Sequence, residues 1–272
     1  YQDRSFPAGE GALAFDEEEL ARVVLTYDGA LAFIAEIYAR CIVPRGKTVD
    51  LEISVDETTV PTTPAAHYFI AAELADAGIP VTGIAPRFPG EFQKGIDYIG
   101  DVSVFEREYR LHQAVADSFG HRLSVHSGSD KFAVFGLIGE ISRGRFHLKT
   151  SGTHWLEALR TVAAEDSALY RDLHRCALSG IDEAKRLYHI SADLGLIKPL
   201  DSTADLELAA YLDDPHARQA LHISYGTILN HQGSGGVKIY RDALYNAIKT
   251  HENAYENGIA AHTVRHLDSL GI

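Results

Sequence analysis

The sequence lacks most of the features that mark membrane, secreted and nucleic-acid-binding proteins. Its two cysteines, Cys41 and Cys176, have neither a metal-binding nor a disulfide spacing, so a reducing compartment, the cytoplasm, is expected. No apolar run reaches the roughly 18 residues of a membrane helix, and no secretory signal pattern is present. Its 25 basic residues are outnumbered by 38 acidic ones, for a formal net charge of -13. Because nucleic acids and anionic membranes attract basic surfaces, neither is expected as a partner.

Methionine is absent altogether, even from position 1, which is Tyr1. We therefore expect a processed chain, a fragment or a chain that lacks its beginning, and the sequence leaves these alternatives open. Of the 272 residues, 46% are hydrophobic and 23% are charged, which is typical of a soluble globular protein. This length suits one large domain or two small ones.

A strand followed by a helix recurs along the middle of the chain. Four segments with strand patterning are each followed by a loop and a helical segment, which is typical of a parallel sheet. The segment ALHISYG predicts a fifth strand. The predicted strands span 48–57, 80–88, 122–127, 145–150 and 220–226.

Helices are predicted on either side of these units. Over 16–41 apolar residues recur at helical spacing, Asp16 is placed to cap the first turn, and Pro44 and Gly46 end the segment. We predict a single α/β domain over 1–272, with a helical insertion around 167–218 and a C-terminal helical segment over 239–272.

Polar and apolar residues alternate along four of the five predicted strands. Successive strand residues point to opposite faces, so each of these strands has one apolar and one polar face. An open doubly wound sheet is covered by helices on both faces and should be apolar on both. A barrel of the TIM type has helices only on its outside. The polar face holds Glu52, Ser54, Asp56, His126, His147, Lys149 and His222.

We therefore predict a (β/α) barrel of the TIM type. A complete barrel has about eight strands, so this chain is expected to carry the last five strand–helix units, with the N-terminal strands missing. A different fold is the alternative. Burying charged groups without partners would cost several kcal/mol each, so the polar face indicates a barrel mouth suited to a metal.

Five stretches of the sequence carry a resemblance to a known family. The strings EISVDETTVPTTPAAHYFIAAEL, APRFPGEFQKGIDYIGD, SVHSGSDKF, FHLKTSGTHWLEALR and LHISYG together resemble the tagaturonate/fructuronate epimerase family, which includes the related tagatose 4-epimerases. The likeness extends from about Val49 to the C-terminus. It implies a metal-dependent (β/α) barrel. Members of the family are longer, and their earlier strands are expected to supply part of the metal site.

The resemblance implies a carbohydrate epimerase, an isomerase that interconverts D-tagaturonate and D-fructuronate or the matching ketohexoses. It would invert the hydroxyl-bearing carbon β to the ketone, whose proton is not acidified by simple enolisation. Retro-aldol cleavage with re-addition is one route, and successive proton transfers are another. Both need a divalent cation, together with an acid and a base on opposite sides of the sugar.

Three histidines of the polar face are the candidate metal ligands. His126, His147 and His222 end three predicted strands, and imidazole nitrogen suits a divalent Zn, Ni, Co or Mn ion. A lone histidine is more often a hydrogen-bonded core group, but three at equivalent positions favour ligation. Other histidines, such as His67 and His112, are expected to be packing or surface residues.

Acidic, basic and hydroxyl side chains complete the predicted site. Glu52 and Asp56 are assigned to acid–base catalysis or further ligation, and Lys149 to lowering the pKa of a neighbouring acid or holding an oxyanion. Arginine suits bidentate capture of a uronate carboxylate. The predicted substrate-binding residues, which lie mainly in loops after the strands, are Arg87, Glu91, Gln93, Ser127, Ser129, Lys131 and Thr150.

Two rival functions stay open. The first is a metal-dependent or Schiff-base sugar aldolase, for which Lys149 would supply the amine. The second is a non-catalytic sugar-binding fragment. In every case the expected partner is a small sugar or sugar acid, and the sequence is compatible with a homo-oligomer.

Overall fold

A β-hairpin occupies residues 1–15, where the sequence shows no regular period. β1 (Ser5–Ala8) pairs antiparallel with β2 (Gly11–Ala14), and Phe6 lies opposite Leu13. Both side chains are buried. Strands of four residues are too short for alternation to be recognised. The computed structural model describes residues 1–9, 11–47, 49–150 and 152–272.

The first long helix begins where the sequence predicts. α1 (Glu17–Ile37) is capped by Asp16, whose carboxylate accepts a hydrogen bond from the Glu19 backbone N–H at 2.7 Å. The regular helix ends before the predicted position, in a π-helical turn over Tyr38–Ile42 and a short 3-10 turn. Gly46 then leaves the helix in the left-handed region, with a φ of 60°.

Four parallel strands form the central sheet, in the same order as along the chain. Each is followed by a helix, which confirms the four predicted strand–helix units. The strands are shorter than predicted, at three or four residues each. They are β3 (Glu52–Ser54), β4 (Gly83–Ala85), β5 (Arg122–Val125) and β6 (Phe146–Leu148), and the helices are α2 (Pro64–Asp76), α3 (Val102–Phe119), α4 (Phe132–Ser142) and α5 (Thr153–Glu165).

The two faces of this sheet differ as the alternation predicts. Ile53, Leu123 and Val125 are buried in apolar clusters with residues of the covering helices. Each such side chain contributes about 1.5–3 kcal/mol on burial. Glu52 and His147, on the other face, are exposed. The apolar face therefore holds the sheet against the helices and leaves the polar face accessible.

Helices dominate the chain after the sheet. α6 (Ser167–Ser179) and α7 (Ile181–Lys185) are followed by three 3-10 segments that extend to Leu212. α6 packs on α5, and its Tyr170 and Leu173 are fully buried.

The predicted fifth strand is wrong, because residues 220–226 are helical. They belong to α8 (Pro215–Ile223) and α9 (Tyr225–Asn230). α8 is capped by Asp214, whose carboxylate accepts a hydrogen bond from the Ala217 N–H at 2.7 Å. The apolar–polar alternation of ALHISYG is too short to distinguish a strand from a buried helix, and the Asp-Pro signal before it is the better guide.

The sheet does not close into a barrel within the described residues. β3 and β6 lie at its two edges, so the TIM-type barrel is not confirmed, and the fold is a mixed α/β arrangement around a four-stranded parallel sheet. α10 (Ile239–Thr250) and α11 (Glu252–Leu270) follow, and α11 packs against α4 and α5. None of the helices in the described ranges combines the length and apolar character that a membrane crossing needs.

Three buried histidines, here called the histidine row, lie between α2, α3 and the start of β5. His67 Nδ1 is 3.1 Å from His112 Nδ1, and His67 Nε2 is 2.9 Å from His121 Nε2. His112 Nε2 donates to the Thr62 carbonyl oxygen at 3.1 Å. Because that oxygen only accepts, each N–H of the row points towards Thr62, and His121 Nδ1 has no partner in the described part of the chain.

The histidine row is electrically neutral at neutral pH. Burial lowers the pKa of His112 to about 3 and that of His121 to about 4. Burial, followed by the neighbouring imidazoles, holds the pKa of His67 well below its ordinary value. His67 and His112 are therefore packing residues, as the sequence predicts.

Candidate functional site

A carboxylate joins two histidines on the polar face of the sheet. Glu52 accepts a hydrogen bond from His126 Nε2 at 2.7 Å on one oxygen and from His147 Nδ1 at 2.6 Å on the other. Ser124, the register partner of His147, donates to Glu52 at 2.7 Å. Parallel pairing thus brings together residues that are 72 to 95 positions apart. We call Glu52, His126 and His147 the site cluster.

A second carboxylate flanks the site cluster. Asp56 Oδ2 lies 3.3 Å from His126 Nδ1, so this imidazole is held between two carboxylates. Ser54 donates a hydrogen bond to Asp56, and its hydroxyl oxygen lies 3.4 Å from the same ring nitrogen. These contacts fix the orientation of the His126 ring.

Glu52 is held in its ionised form. Burial raises the pKa of its carboxyl group, but hydrogen bonds from Ser124, His126 and His147 outweigh burial and bring the pKa below its ordinary value. At neutral pH Glu52 is therefore suited to binding a cation or accepting a proton, and not to donating one.

The site cluster has the donor set of a transition-metal site. Each of two imidazole nitrogens lies within hydrogen-bond distance of one Glu52 oxygen, and this mixture of donor types suits ions such as Zn or Mn. Asp56, at the far nitrogen of His126, is placed like the outer carboxylate that orients many metal-binding imidazoles. The donor types of these residues therefore suit the divalent ion that the resemblance implies, although the ligand atoms that converge within 4.8 Å in the described residues belong to another group.

Within the described residues, the group whose ligand atoms all lie within 4.8 Å of one another comprises Asp130, His262 and His266. One of the ligand atoms is already hydrogen-bonded within the group, since His266 Nε2 accepts the Asp130 backbone N–H at 3.0 Å. Arg218 pairs with the Asp130 carboxylate at 2.8 Å, and its charge opposes a cation there. This group is better suited to fixing the loop after β5 than to holding an ion.

A cavity of about 330 Å³ lies beside His126. Its walls come from the loops after β3, β4 and β5, and part of its rim from residues 187–189 after α7. This volume is on the scale of small-molecule sites. The structure brings six of the predicted site residues to its lining: Asp56, Arg87, Glu91, Gln93, His126 and Ser127.

Two of these lining residues also hold the cavity wall together. The Arg87 guanidinium donates to the Thr58 carbonyl oxygen. Gln93 is buried, and its side-chain oxygen accepts the Ser191 backbone N–H at 2.8 Å, while its NH2 group donates to Glu91 at 2.8 Å. Both side chains are thus partly committed to contacts within the protein.

Lys131 lies below the cavity wall and not in its lining. It is fully buried, and its ammonium donates to the carbonyl oxygens of Gln93, Ile96 and Ser129 at 2.9, 2.6 and 2.8 Å. Burial lowers its pKa to about 8. Lys131 and Ser129 therefore connect the loops after β4 and β5. Thr150 lies apart from them, beside a smaller cavity of about 200 Å³ next to β6.

Two further ammonium groups belong to the site region. Lys94 lines the cavity and donates to Ser127 Oγ at 3.0 Å. Lys149 is exposed and lies on the same face of the sheet as His147, two residues further along the chain. Burial lowers the pKa of Lys94, and the charge of Lys149 adds to this effect.

His222 reaches this region from a helix instead of a strand. On α8 its imidazole packs against Gly95 and Gly152, where a Cβ at Gly152 would lie 3.0 Å from Nε2. Burial, with the nearby charges of Lys94 and Arg218, lowers its pKa to about 4. His222 is therefore a neutral imidazole, but the strand-end argument for making it a third ligand does not apply.

The prediction omitted Ser124, Lys94 and residues 187–189. Ser124 has the same strand parity as His126, so the alternation that predicted the histidine could have predicted the serine. Lys94 lies in the same loop as Arg87 and Gln93, and loop position alone did not separate it from them. No motif marks residues 187–189, whose contribution to the rim depends on how α7 packs.

Comparisons with known proteins agree with this resemblance. The family model of UxaE, tagaturonate epimerase, matches residues 1–270. A tagaturonate/fructuronate epimerase of Thermotoga maritima is 36% identical over 259 residues, which cover 95% of this chain and 52% of that protein. The chain therefore spans about half the length of this curated relative.

Solved structures give the same result. The native crystal structure of the fructuronate-tagaturonate epimerase UxaE from Cohnella laeviribosi is 46% identical, with a TM-score of 0.98, and the match covers 100% of this chain and 55% of that one. A structure of the same enzyme complexed with two glycerols also has a TM-score of 0.98, at 46% identity, over 100% of this chain and 56% of that one. The chain belongs to the tagaturonate epimerase family.

Proposed function

We propose that this chain contributes the site cluster of an enzyme that interconverts D-tagaturonate and D-fructuronate. The relatives named for this reaction are about twice as long, so their activity applies to this chain as a proposal. The observation that carries it is Glu52, which binds two imidazoles, one of which, His126, lines a sugar-sized cavity. Family membership supplies the reaction class.

The reaction inverts a hydroxyl-bearing carbon that is β to a ketone. Retro-aldol cleavage with re-addition and stepwise proton transfer both pass through an enediolate, which needs a positive charge beside its oxygens. A divalent ion held by Glu52, His126 and His147 would supply that charge when bound. His126 and His147 remain the proposed ligands, and His222 is retained only as a neutral imidazole next to the cavity region.

The protein's own groups supply orientation and proton transfer. Asp56 fixes the His126 ring from the side opposite Glu52, and it lines the cavity, so its proposed role is to orient that imidazole and assist proton transfer through it. Glu52 is kept anionic by its hydrogen bonds and is better suited to ligation than to proton donation. The Lys149 ammonium is the proposed stabiliser of a developing oxyanion.

Chelation combined with product analysis tests the proposal. The chain is treated with EDTA, reloaded with Zn, Ni, Co or Mn, and assayed on D-tagaturonate and D-fructuronate. Interconversion should be lost on chelation and restored by an ion, and His147→Ala should bind less metal than the control His251→Ala. Activity that is indifferent to chelation would overturn the metal assignment, and absence of interconversion under every condition would overturn the proposed function.

A Schiff-base aldolase is the second candidate function. It is favoured by Lys94, whose pKa is lowered by burial and by the neighbouring Lys149, because an amine must lose its proton before it attacks a ketone. Borohydride treatment in the presence of D-tagaturonate, followed by mass spectrometry, separates it from the epimerase. A covalent adduct on a lysine supports the aldolase.

A further inference from the structure

We infer that the ammonium of Lys131 acts as an internal cation that positions the cavity-lining loops after β4 and β5. The inference rests on the proposed function, and it makes Lys131 a positioning residue where the sequence predicted direct contact with the substrate. The groups that it positions are the side chains of Lys94, His126 and Ser127, which line the cavity.

Three backbone oxygens from the two loops converge on this ammonium. The carbonyl oxygens of Gln93 and Ile96 come from the loop after β4 and accept its hydrogen bonds at 2.9 and 2.6 Å. The carbonyl oxygen of Ser129 comes from the loop after β5 and accepts at 2.8 Å. An ammonium has three donors and no acceptor, so each of its N–H groups has one partner. We call these three oxygens the carbonyl cage.

The carbonyl cage depends on a positive charge. Its oxygens carry partial negative charge and point at one buried position, so without a cation they would repel one another where water does not compensate them. Lys131 is fully buried, and even its neutral amine would supply only two donors for three oxygens. The charge of Lys131, and not the packing of its methylene groups, is therefore what joins the two loops.

The loop after β5 needs such an anchor because its backbone is unusual at two positions. Ser127 and Asp130 have left-handed backbones, with φ of 49° and 60°, which are uncommon for residues with side chains. Conformations of this kind persist where the surrounding structure fixes them. Arg218 pairs with Asp130 at 2.8 Å, and Lys131, the next residue, is held by the carbonyl cage. The anchor thus keeps Ser127 in the conformation with which it lines the cavity.

The same two loops meet again on the cavity side. Lys94 donates to Ser127 Oγ at 3.0 Å, and it directly follows Gln93, whose carbonyl oxygen belongs to the carbonyl cage. Ser127 directly follows His126, a proposed metal ligand. A shift of either loop at the carbonyl cage would therefore move Lys94 and His126 relative to each other. The effect of Lys131 should thus appear in substrate binding and turnover as well as in stability.

NMR of side-chain ammonium groups tests the charge of Lys131 in the unmodified chain. Burial lowers its pKa to about 8, Asp130 and Asp97 oppose this effect, and Lys94 and Arg218 add to it. At neutral pH we expect an ammonium signal whose protons exchange slowly with water, because the carbonyl cage encloses them. A neutral amine at neutral pH, or an ammonium that exchanges as fast as those of exposed lysines, would overturn the inference.

Two substitutions then separate the charge from the packing. Lys131→Met keeps an apolar stem without the ammonium, whereas Lys131→Ala leaves room for a small cation. Both should weaken D-tagaturonate binding and turnover by about tenfold or more. Ethylammonium chloride should restore several-fold of this loss, and raise the unfolding temperature, in Lys131→Ala alone. Tetramethylammonium chloride at the same ionic strength has no N–H donor and should restore neither variant, and Lys249→Ala, an exposed control on α10, should match the unmodified chain.

The outcomes separate this inference from the proposed function. Normal binding and turnover in Lys131→Met overturn the internal cation, as does a Lys131→Ala variant that ethylammonium does not stabilise. A borohydride-trapped substrate adduct on Lys131 also overturns it, because the amine would then contact the substrate. An unmodified chain that converts no uronate counts against the proposed function alone, since the ammonium signal and the unfolding temperatures are measured without turnover.

Discussion

The site cluster and the histidine row use the same side chain for opposite purposes. In the site cluster two imidazoles donate to one exposed carboxylate. In the histidine row three fully enclosed imidazoles donate only to one another and to a backbone oxygen. The difference lies in the hydrogen-bond partner of the imidazole. A carboxylate beside an imidazole attracts protons or cations, whereas a buried row of neutral imidazoles disfavours both. The content of histidine in a sequence therefore says little until its partners are known.

Removing the carboxylate should have the largest effect. Glu52→Gln keeps the size of the side chain but removes the charge that both imidazoles share. We expect at least about a hundredfold loss of activity and of metal affinity, with little loss of stability because Glu52 is exposed. Turnover, metal content and thermal unfolding of this variant are compared with those of Glu18→Gln, an exposed control on α1. Normal metal content in Glu52→Gln would contradict the role given to the site cluster.

Acid should destabilise the folded protein through the histidine row. An unfolded histidine binds a proton near pH 6.5, but His121 in the folded protein does so only near 4. The unfolded state thus binds more protons within this window, and the free energy of unfolding falls as pH drops from 6.5 towards 4. His121 alone should contribute about 3 kcal/mol to this loss.

Chemical denaturation at several pH values measures this effect. The slope of unfolding free energy against pH should be smaller in His121→Gln than in the unmodified chain. His189→Gln, which changes an exposed histidine, should keep the slope. Equal slopes in all three proteins would mean that the histidine row makes stability no more sensitive to acid than an exposed histidine does.

A smaller loss is expected when the outer carboxylate is changed. Asp56→Asn weakens the contact that orients His126 without removing a proposed ligand. Outer partners of this kind typically contribute tenfold to hundredfold in metal affinity or activity, so a loss of about tenfold is expected. Metal titration and turnover are measured beside Asp50→Asn, an exposed carboxylate before β3. A loss as large as that of Glu52→Gln would instead make Asp56 a direct ligand or an essential base.

The smallest effect is expected from Ser124→Ala. This change removes one of the hydrogen bonds that lower the pKa of Glu52. The pKa should rise, so the acidic limb of the activity profile should move to higher pH, with only a few-fold loss at neutral pH. A pH–rate profile with an unmoved acidic limb would indicate that Glu52 does not titrate in the rate-limiting step.

Strand parity was the most informative part of the sequence. It placed Glu52, His126 and His147 on one face, because side chains alternate strictly along a strand and parallel strands begin and end together. It failed for His222, because three alternating residues also fit a helix. It could not identify the histidine row, since the enclosure of His67 and His121 depends on how α2 and α3 pack against the sheet.

The strand order along the sheet also bears on synthesis. β3, β4, β5 and β6 pair in the order in which a ribosome releases them, so each can join the preceding strand as it emerges. Glu52 precedes His147 by 95 residues, a delay of roughly 5–20 s at usual translation rates. For the first 74 of these residues the nascent chain has neither imidazole that Glu52 binds in the finished fold, and after that it has only His126 until His147 is made. The emergence of β6 is therefore the step at which the nascent protein completes its carboxylate–imidazole pairing.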